Sequence, residues 1–239
     1  MDLSGSLAPD RHAMDTHLTL EFGHRDPLPG GHDDEVRTPD VLVERFLREY
    51  TNPGDRVLDP FAGFGTTLTV AERLGRVPVG VEYEADRVAA IRDRLGDDHG
   101  GEVRHGSTLD LDGSWFPPCD CCFTSPPFDT HTIDLNPFEN YEGESTYADY
   151  LDDIEAAFRG VASAMVPGGT VVIDIVNVRE GEHVTPLAFD VADRVCDVLR
   201  FDGEVVIEWE GEGYEGTTGR YGYGFDHSYC LVFEKRAAE

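Results

Sequence analysis

Lysine is almost absent from this chain, and the shortage of positive charge is the first constraint on its function. Of the 19 basic residues only Lys235 is a lysine, and 48 acidic residues bring the formal net charge to -29. This balance excludes the general basic surface through which most nucleic-acid-binding proteins contact phosphate. We interpret it as adaptation to high salt, because at about 1 M salt the Debye length falls to about 3 Å and self-repulsion is screened. The alternative, that the charge argues against nucleic acid altogether, stays open, since a local arginine-lined cleft is compatible with an acidic chain.

Long apolar runs and a disulfide framework are also missing. No stretch reaches the roughly 18 to 20 apolar residues that cross a bilayer, and residues 1–15 lack the apolar core of a signal peptide. We therefore expect a cytoplasmic protein without a membrane partner. The five cysteines are an odd number, and the cluster of Cys119, Cys121 and Cys122 lacks a second ligand pair at zinc spacing. Neither disulfides nor a metal site are expected.

Strands alternate with helices along most of the chain. Strands are predicted at residues 56–59, 77–82, 102–105, 120–124, 170–176, 203–209 and 228–234, and helices at 66–74, 85–95, 147–165 and 186–199. A further helix is predicted to begin at Thr38, with Thr38 as its N-cap. The pattern is typical of an α/β protein with a single doubly wound, mostly parallel sheet. The last two strands have no helix between them and predict an antiparallel edge pair. We assign this domain to residues 36–239, behind a loosely structured N-terminal arm of residues 1–35.

A glycine-rich segment follows the first predicted strand. It reads Asp-Pro-Phe-Ala-Gly-Phe-Gly-Thr-Thr over residues 59–67, and Glu82 ends the next strand, 19 residues after Gly63. An acid at that position and spacing accepts hydrogen bonds from ribose hydroxyls, so the pair predicts a nucleoside-containing cofactor. The weaker alternative is a glycine turn beside a surface acid. A nicotinamide cofactor is disfavoured, because no third glycine follows Gly65 at the pyrophosphate-loop spacing.

A second motif follows the fourth predicted strand. Ser125, Pro126, Pro127 and Phe128 form a rigid corner, because consecutive prolines cannot continue ladder pairing. The amino group of cytosine or adenine is a poor nucleophile, since its lone pair is delocalised into the ring. Acceptors such as the Ser125 hydroxyl and the Pro126 carbonyl can make this nitrogen pyramidal, while Phe128 stacks on a flipped base. The alternative is a proline-rich turn with no chemical role.

Together the two motifs resemble those of the amino-methyltransferase family of DNA methylases, which modify N4 of cytosine or N6 of adenine. The resemblance spans roughly residues 38–176 and implies a Rossmann-like fold and the cofactor S-adenosyl-L-methionine. It implies catalytic roles for the Ser-Pro-Pro-Phe corner, whose serine is the N4-cytosine form. The implied cofactor-binding residues are Asp59, Phe61, Gly63, Gly65, Thr67, Glu82 and Ser107. Ser107 is a departure, because the family more often carries Asp there.

Two other departures bear on the substrate. The chain has no long target-recognition region, and its cofactor motif precedes the catalytic motif, whereas many N4-cytosine DNA methylases have the reverse order. The candidate recognition loops are 129–145 and 210–227, and the second carries the best nucleic-acid contacts, namely Arg220, Tyr221, Tyr223 and Phe225. We expect an enzyme that methylates N4 of cytosine in DNA. The alternatives are the same chemistry on structured rRNA or tRNA, a small-molecule or protein methyltransferase, and an inactive cofactor-binding subunit whose partner supplies recognition.

Cys119 offers a competing mechanism. Phe-Pro-Pro-Cys at residues 116–119 resembles the Pro-Cys nucleophile of the C5-cytosine methylases. However, Cys119 precedes the fourth predicted strand, at the end opposite to the ligand side of a parallel sheet. We therefore disfavour a covalent thiolate mechanism.

Overall fold

An eight-stranded sheet forms the centre of the protein, described by a computed structural model over residues 15–25, 28, 37–96, 100–129, 131, 134–211 and 227–237. The strands are β1 (His17–Glu21), β2 (Arg56–Asp59), β3 (Val77–Glu82), β4 (Glu102–His105), β5 (Cys119–Thr124), β6 (Met165–Ile175), β7 (Val178–Glu180), β8 (His183–Thr185), β9 (Arg200–Glu210) and β10 (His227–Glu234). The helices are α1 (Asp40–Tyr50), α2 (Thr66–Arg73), α3 (Ala85–Leu95), α4 (Tyr147–Ala164) and α5 (Leu187–Cys196). Strands β7 and β8 form a separate hairpin.

The strand order of the sheet is β1-β9-β10-β6-β5-β2-β3-β4. All neighbours run parallel except β10, which is antiparallel to both β9 and β6. The doubly wound, mostly parallel sheet with an antiparallel pair is therefore confirmed. From β2 the chain builds outward through β3 and β4 on one side, and from β5 through β6 on the other. A ligand crevice is expected where the order reverses, at the carboxyl ends of β2 and β5.

Helices cover the two faces of the sheet because side chains alternate along each strand. On β5, Cys121 and Phe123 join the core beneath α1 and α2. Cys122 joins the opposite core, which α4 and α5 cover. A third cluster packs α3 against α2. Burial of this apolar surface stabilises the fold by about 25 cal/mol per Å². Because the helices cover the two faces of the sheet, the carboxyl ends of the strands stay free to build a site.

The N-terminal arm predicted for residues 1–35 is wrong in one segment. Residues 17–21 form β1, which pairs in parallel with β9 and lies outside the antiparallel pair. Its short alternating sequence gave little signal, because Leu18 and Leu20 are its only apolar residues. Most of the rest of the arm lies outside the described residues. The β7–β8 hairpin was not predicted either.

The start of α1 also differs from its prediction. Pro39 occupies the N-cap position and no side chain caps the helix. The Thr38 hydroxyl instead donates a 3.4 Å hydrogen bond to Oδ2 of Asp174 on β6. The Thr38 side chain thereby joins the segment before α1 to the sheet.

All five cysteines are free thiols, and four of them are buried. Within the described part of the chain, no group of three or more His, Cys, Asp or Glu side chains is arranged to hold a metal ion. No helix among the described residues combines the length and apolar character needed to cross a bilayer.

Candidate active site

One cavity of about 850 Å³ lies at the carboxyl ends of the central strands and brings the two sequence motifs together. Its wall includes the predicted residues Asp59, Phe61, Gly63, Thr67, Glu82, Ser107, Ser125, Pro126, Pro127 and Phe128. Of the predicted site residues, all of which the structure describes, only Gly65 is not part of this wall. A second, more open cavity of about 660 Å³ near the starts of α4 and α5 includes none of them.

Glu82 closes the cofactor side of the cavity. The backbone N–H of Gly63 donates to its Oε2 at 2.7 Å, and the N–H of Glu84 donates to its Oε1 at 2.9 Å. Burial raises the pKa of Glu82, and the bond from Glu84 partly offsets this effect. Each carboxylate oxygen has a second lone pair, so Glu82 can still accept hydrogen bonds from two vicinal hydroxyls. The arrangement fits the ribose of a nucleoside.

Asp59 connects the glycine loop to the end of β5. Its Oδ1 accepts hydrogen bonds from the Thr124 hydroxyl at 2.7 Å and from the Phe61 N–H at 3.1 Å. The Thr67 side chain is a further hydrogen-bond partner. Burial raises the pKa of Asp59 to about 6 despite these bonds. Asp59 borders the cavity, and its bonds hold the glycine loop to the end of β5.

The two loop glycines serve two purposes. Gly63 has φ +53° and Gly65 has φ +79°, a left-handed region that favours glycine. A Cβ on Gly63 would meet nothing nearer than the Phe61 carbonyl at 4.0 Å, so Gly63 leaves its backbone open to the cavity. A Cβ on Gly65 would lie 3.0 Å from Cγ1 of Ile91, so Gly65 allows α3 to pack against the loop.

Ser107 and its neighbour fix the loop after β4. The Ser107 hydroxyl accepts from the Leu109 N–H at 3.2 Å and caps a short 3-10 helix, Thr108–Asp110. The Thr108 hydroxyl donates to the carbonyl of Pro60 in the glycine loop. Where the family more often carries an acid, this chain has a hydroxyl that forms a local cap and also borders the cavity.

The Ser-Pro-Pro-Phe corner leaves β5 directly into the cavity. Ser125 is exposed, Pro126 is buried, and Phe128 is partly buried against the core beneath α4. The Tyr141 hydroxyl donates to the Phe128 carbonyl at 2.9 Å and fixes the backbone beyond the corner. An accessible hydroxyl beside a fixed aromatic side chain is suited to an amino group attached to a planar aromatic ring. The hydroxyl can accept a hydrogen bond from the amino group, and the side chain can stack on the ring.

The predicted recognition loop 129–145 folds back over this cavity in its described part. The Asn140 side-chain amide donates to Oε1 of Glu84 at 2.7 Å. The rings of Phe138 and Phe61 meet edge to face, with centroids 5.7 Å apart. This segment therefore contacts the glycine loop and the end of β3. In the other predicted loop, Arg220, Tyr221, Tyr223 and Phe225 lie outside the described residues.

Asp174, Trp209 and Ser228 are among the residues of the cavity wall that were not predicted from the sequence. Asp174 lies near the carboxyl end of β6, and its side chain is hydrogen-bonded to Ser228 and Thr38. The indole N–H of Trp209 donates to the Ser228 hydroxyl at 3.1 Å. Burial raises the pKa of Asp174 to about 7. The available signal was a single acid within the apolar run of residues 170–176.

Cys119 lies where the sequence predicted, at the amino end of β5. It is buried and is not among the residues that line the cavity. Burial raises the pKa of its thiol to about 12, so it carries no thiolate at neutral pH. This environment opposes a nucleophilic role.

This fold is shared with solved structures described as S-adenosylmethionine-dependent methyltransferases. A family model described as DNA methylase matches residues 21–93, which run from the end of β1 into α3. The match covers the glycine loop and Glu82 but ends before the Ser125 corner.

A curated relative matches over a short segment. The Type II methyltransferase M2.DpnII of Streptococcus pneumoniae is 46% identical over 60 residues. These residues are 25% of this chain and 22% of that protein, so the chain matches about a fifth of the relative's length.

Solved structures share the fold at low sequence identity. TrmN from Thermus thermophilus superposes with a TM-score of 0.58 at 18% identity, covering 83% of this chain and 49% of that one. The [4+2]-cyclase SpnF gives a TM-score of 0.57 at 15% identity, covering 92% and 88%. Because a protein described as a cyclase shares this fold, the reaction has to be argued from the site.

Proposed function

We propose that this protein is an S-adenosylmethionine-dependent methyltransferase that modifies an exocyclic amino group of a nucleic-acid base, specifically N4 of cytosine in DNA. The observation that carries the proposal is the shared cavity, in which the Ser125 corner borders the same space as Gly63 and Glu82. The DNA methylase family match over residues 21–93 supports the cofactor half of this assignment.

The cofactor half of the cavity fits S-adenosylmethionine by its donors and acceptors. Glu82 would accept the ribose hydroxyls, Gly63 allows close approach of the backbone, and Ser107 would border the adenine. When bound, S-adenosylmethionine supplies an electrophilic methyl group on a positively charged sulfur. The residues of the chain hold and orient the partners, which is the main source of acceleration in direct transfer.

The catalytic half is suited to a weakly nucleophilic aromatic amine. The Ser125 hydroxyl and the Pro126 carbonyl would accept hydrogen bonds from the amino group and release its lone pair from the ring. Phe128 would stack on the base. A serine rather than an acid or amide at the first position favours the cytosine N4 assignment over adenine N6.

A second candidate substrate is a fixed site in structured rRNA or tRNA. The described part of segment 129–145 is tied to the cavity through the Asn140–Glu84 and Tyr141–Phe128 contacts. Those residues are therefore engaged within the protein rather than extended toward a DNA groove. An RNA whose own fold presents the target base would need less recognition from the protein.

The test uses purified protein at high salt with methyl-labelled S-adenosylmethionine and, in parallel, unmodified genomic DNA, rRNA and tRNA. The products are digested to nucleosides and identified by mass. N4-methylcytosine in DNA would support the full proposal, and the same nucleoside only in RNA would support the second substrate. N6-methyladenine would overturn the choice of base. Cofactor binding without label in any substrate would indicate an inactive subunit or one that needs a partner.

A further inference from the structure

The cavity extends beyond the Ser125 corner into a second half, on the side of β5 opposite the glycine loop and Glu82. We call this the far lobe and define it by Asp174 on β6, Trp209 on β9, Ser228 on β10 and Phe22 after β1, all of which line the cavity. The rings of Phe22 and Trp209 meet edge to face, with centroids 5.6 Å apart. The far lobe thus has aromatic walls and one carboxyl group.

Strand order places the far lobe on the side of β5 opposite the glycine loop, where the methyl-accepting base would lie. Glu82 and the glycine loop lie on β3 and after β2, on one side of β5, whereas β6, β10 and β9 lie on the other. Thr124 and Ile173 are partners on neighbouring parallel strands. The next residues are Ser125, directly after the end of β5, and Asp174, still within β6, and neighbouring strands lie about 4.8 Å apart. A base whose amino group meets Ser125 lies within reach of Asp174.

Hydroxyl groups hold Asp174 in place. The Trp209 indole N–H can only donate, so the Ser228 hydroxyl accepts from it at 3.1 Å and has its own hydrogen left for Asp174. The Thr38 hydroxyl donates to Oδ2 of Asp174 at 3.4 Å. These bonds orient the carboxyl group without adding charge to it.

Among the described residues, the ionisable groups near Asp174 on neighbouring elements are Arg37 before α1, Cys230 as the β10 partner of Asp174, and Asp59 at the end of β2. Glu82, Glu84 and Arg87 also line the cavity, on the side of the glycine loop and β3. Burial is the main cause that raises the pKa of Asp174 to about 7. Near neutral pH a large fraction of the molecules therefore carries the uncharged carboxylic acid, which has both a donor and an acceptor.

We propose that Asp174, as a carboxylic acid, reads the edge of the target base that bears the methylated amino group. Its O–H donates to the ring nitrogen next to that group, N3 of cytosine, and its carbonyl oxygen shares one of the two amino N–H groups with the acceptors of the Ser125 corner. The ionised carboxylate cannot donate and would face the lone pair of the ring nitrogen. The inference rests on the proposed function, but adenine presents the same pair of groups, so it does not depend on cytosine being the target.

The test measures binding of an oligonucleotide that carries the target base found by the labelling experiment. Its affinity is followed by fluorescence anisotropy from pH 6 to pH 8.5, with S-adenosylhomocysteine present. Wild-type affinity is expected to fall about tenfold or more over this range, because only the protonated fraction is competent to bind. Asp174→Asn keeps a donor and an acceptor at every pH, so it should bind well throughout with a flat profile. Asp174→Leu should bind weakly at every pH.

A modified probe isolates the contact with the ring nitrogen. If the target is cytosine, 3-deazacytosine has no ring acceptor at that position, so wild-type binding should weaken and lose its pH dependence. Equal binding of the two probes would overturn the proposal. Wild-type affinity or turnover that rises with pH, together with an inactive Asp174→Asn variant, would also overturn it by requiring the carboxylate.

Two controls separate this proposal from the one on which it rests. Asp193→Asn, an exposed substitution on α5, should leave the whole pH profile unchanged. Melting temperature and S-adenosylhomocysteine affinity show whether each variant is folded. A wild-type protein that labels no nucleic acid contradicts the proposed function. A wild type that labels its substrate but whose Asp174→Asn variant cannot bind it contradicts only the role of Asp174.

Discussion

The hydroxyl of Thr124 donates a 2.7 Å hydrogen bond to the carboxyl group of Asp59, across 65 residues of sequence. Thr124 is the last residue of β5 and immediately precedes Ser125, while Asp59 ends β2 and begins the glycine loop. This buried bond therefore sets the position of the Ser125 corner relative to the glycine loop. Neither residue needs to touch a ligand to matter for the reaction.

Replacing Thr124 with valine should destabilise the protein in a pH-dependent way. The variant keeps the shape but removes a donor from a buried carboxyl group, at an expected cost of about 1–3 kcal/mol. Burial raises the folded-state pKa of Asp59 from 3.8 to about 6, so this group's contribution to stability falls as pH rises from about 4 to about 6. Without Thr124 the pKa should rise further. Urea unfolding should therefore give a larger deficit at pH 8 than at pH 5.

Thr69→Val is the matched control for this measurement. The Thr69 hydroxyl bonds only to a helix carbonyl, that of Thr66, at 3.1 Å among the contacts described. Its loss should cost the same at both pH values. A Thr124→Val deficit independent of pH would contradict the proposed coupling to Asp59.

Glu82→Gln should weaken cofactor binding. Both oxygens of Glu82 accept backbone N–H groups, so the amide nitrogen of glutamine would face a donor on one side. Loss of one such bond and of the charge is expected to lower the affinity for S-adenosylhomocysteine about 10- to 100-fold, corresponding to about 1–3 kcal/mol. Titration calorimetry measures this directly. Glu102→Gln, on an exposed residue of β4, is the control and should bind normally.

The two loop glycines should respond differently to alanine. Both substitutions strain a left-handed backbone by about 1–2 kcal/mol. Gly65→Ala adds a contact with Ile91 at 3.0 Å and should lower the melting temperature more than Gly63→Ala. Gly63→Ala adds a methyl group beside the cavity and should lower cofactor affinity more. Titration calorimetry measures the cofactor affinity of both variants, and thermal melting measures their stability. Equal losses of affinity and of melting temperature in the two variants would contradict the separate roles of Gly63 and Gly65.

Ser125→Ala and Phe128→Ala should lose turnover while they still bind the cofactor. Each changes the acceptor half of the cavity, and we expect single-turnover rates to fall by about 10- to 1,000-fold, as when one polar or stacking contact is removed. The exposed Ser114 lies outside the cavity, so Ser114→Ala should retain the wild-type rate. Loss of cofactor affinity in the Ser125 variant would argue against its assigned role.

Cys119→Ser should remain active. The thiol is buried at the amino end of β5, with its pKa raised to about 12, and a covalent mechanism would need it as a thiolate. Methyl incorporation into the substrate of the wild type is the measurement. A folded but inactive variant, identified by a normal melting curve, would restore the C5-type mechanism.

Much of the cofactor half could be predicted because its determinants are local. A parallel strand, a glycine turn and a helix return the chain to the next strand end, so the spacing of 19 residues between Gly63 and Glu82 leads to contact. The Ser125 corner was equally local, since two prolines force the chain out of the sheet. These features depend on neighbours in sequence.

The far lobe of the cavity could not be predicted in the same way. Asp174 is one acid in an apolar strand, and its partner Thr38 lies 136 residues away. The sequence carries no signal for such a pairing without the fold. Similarly, the hydroxyl of Thr38 was predicted to cap α1, but it donates a hydrogen bond to the carboxyl group of Asp174 on β6 instead.

The pairing of β1 with β9 also bears on how the chain is made. Thr19 and Glu208, joined by a hydrogen bond, lie 189 residues apart. At about 5–20 residues per second a ribosome needs roughly 10–40 s to cover that interval, so the nascent β1 segment waits unpaired while the rest of the sheet forms. Its alternation of exposed polar and partly buried apolar residues limits the apolar surface it offers to other chains. Once docked, this five-residue strand replaces the eleven-residue β9 as the outer edge, and a short edge is poorly suited to template aggregation.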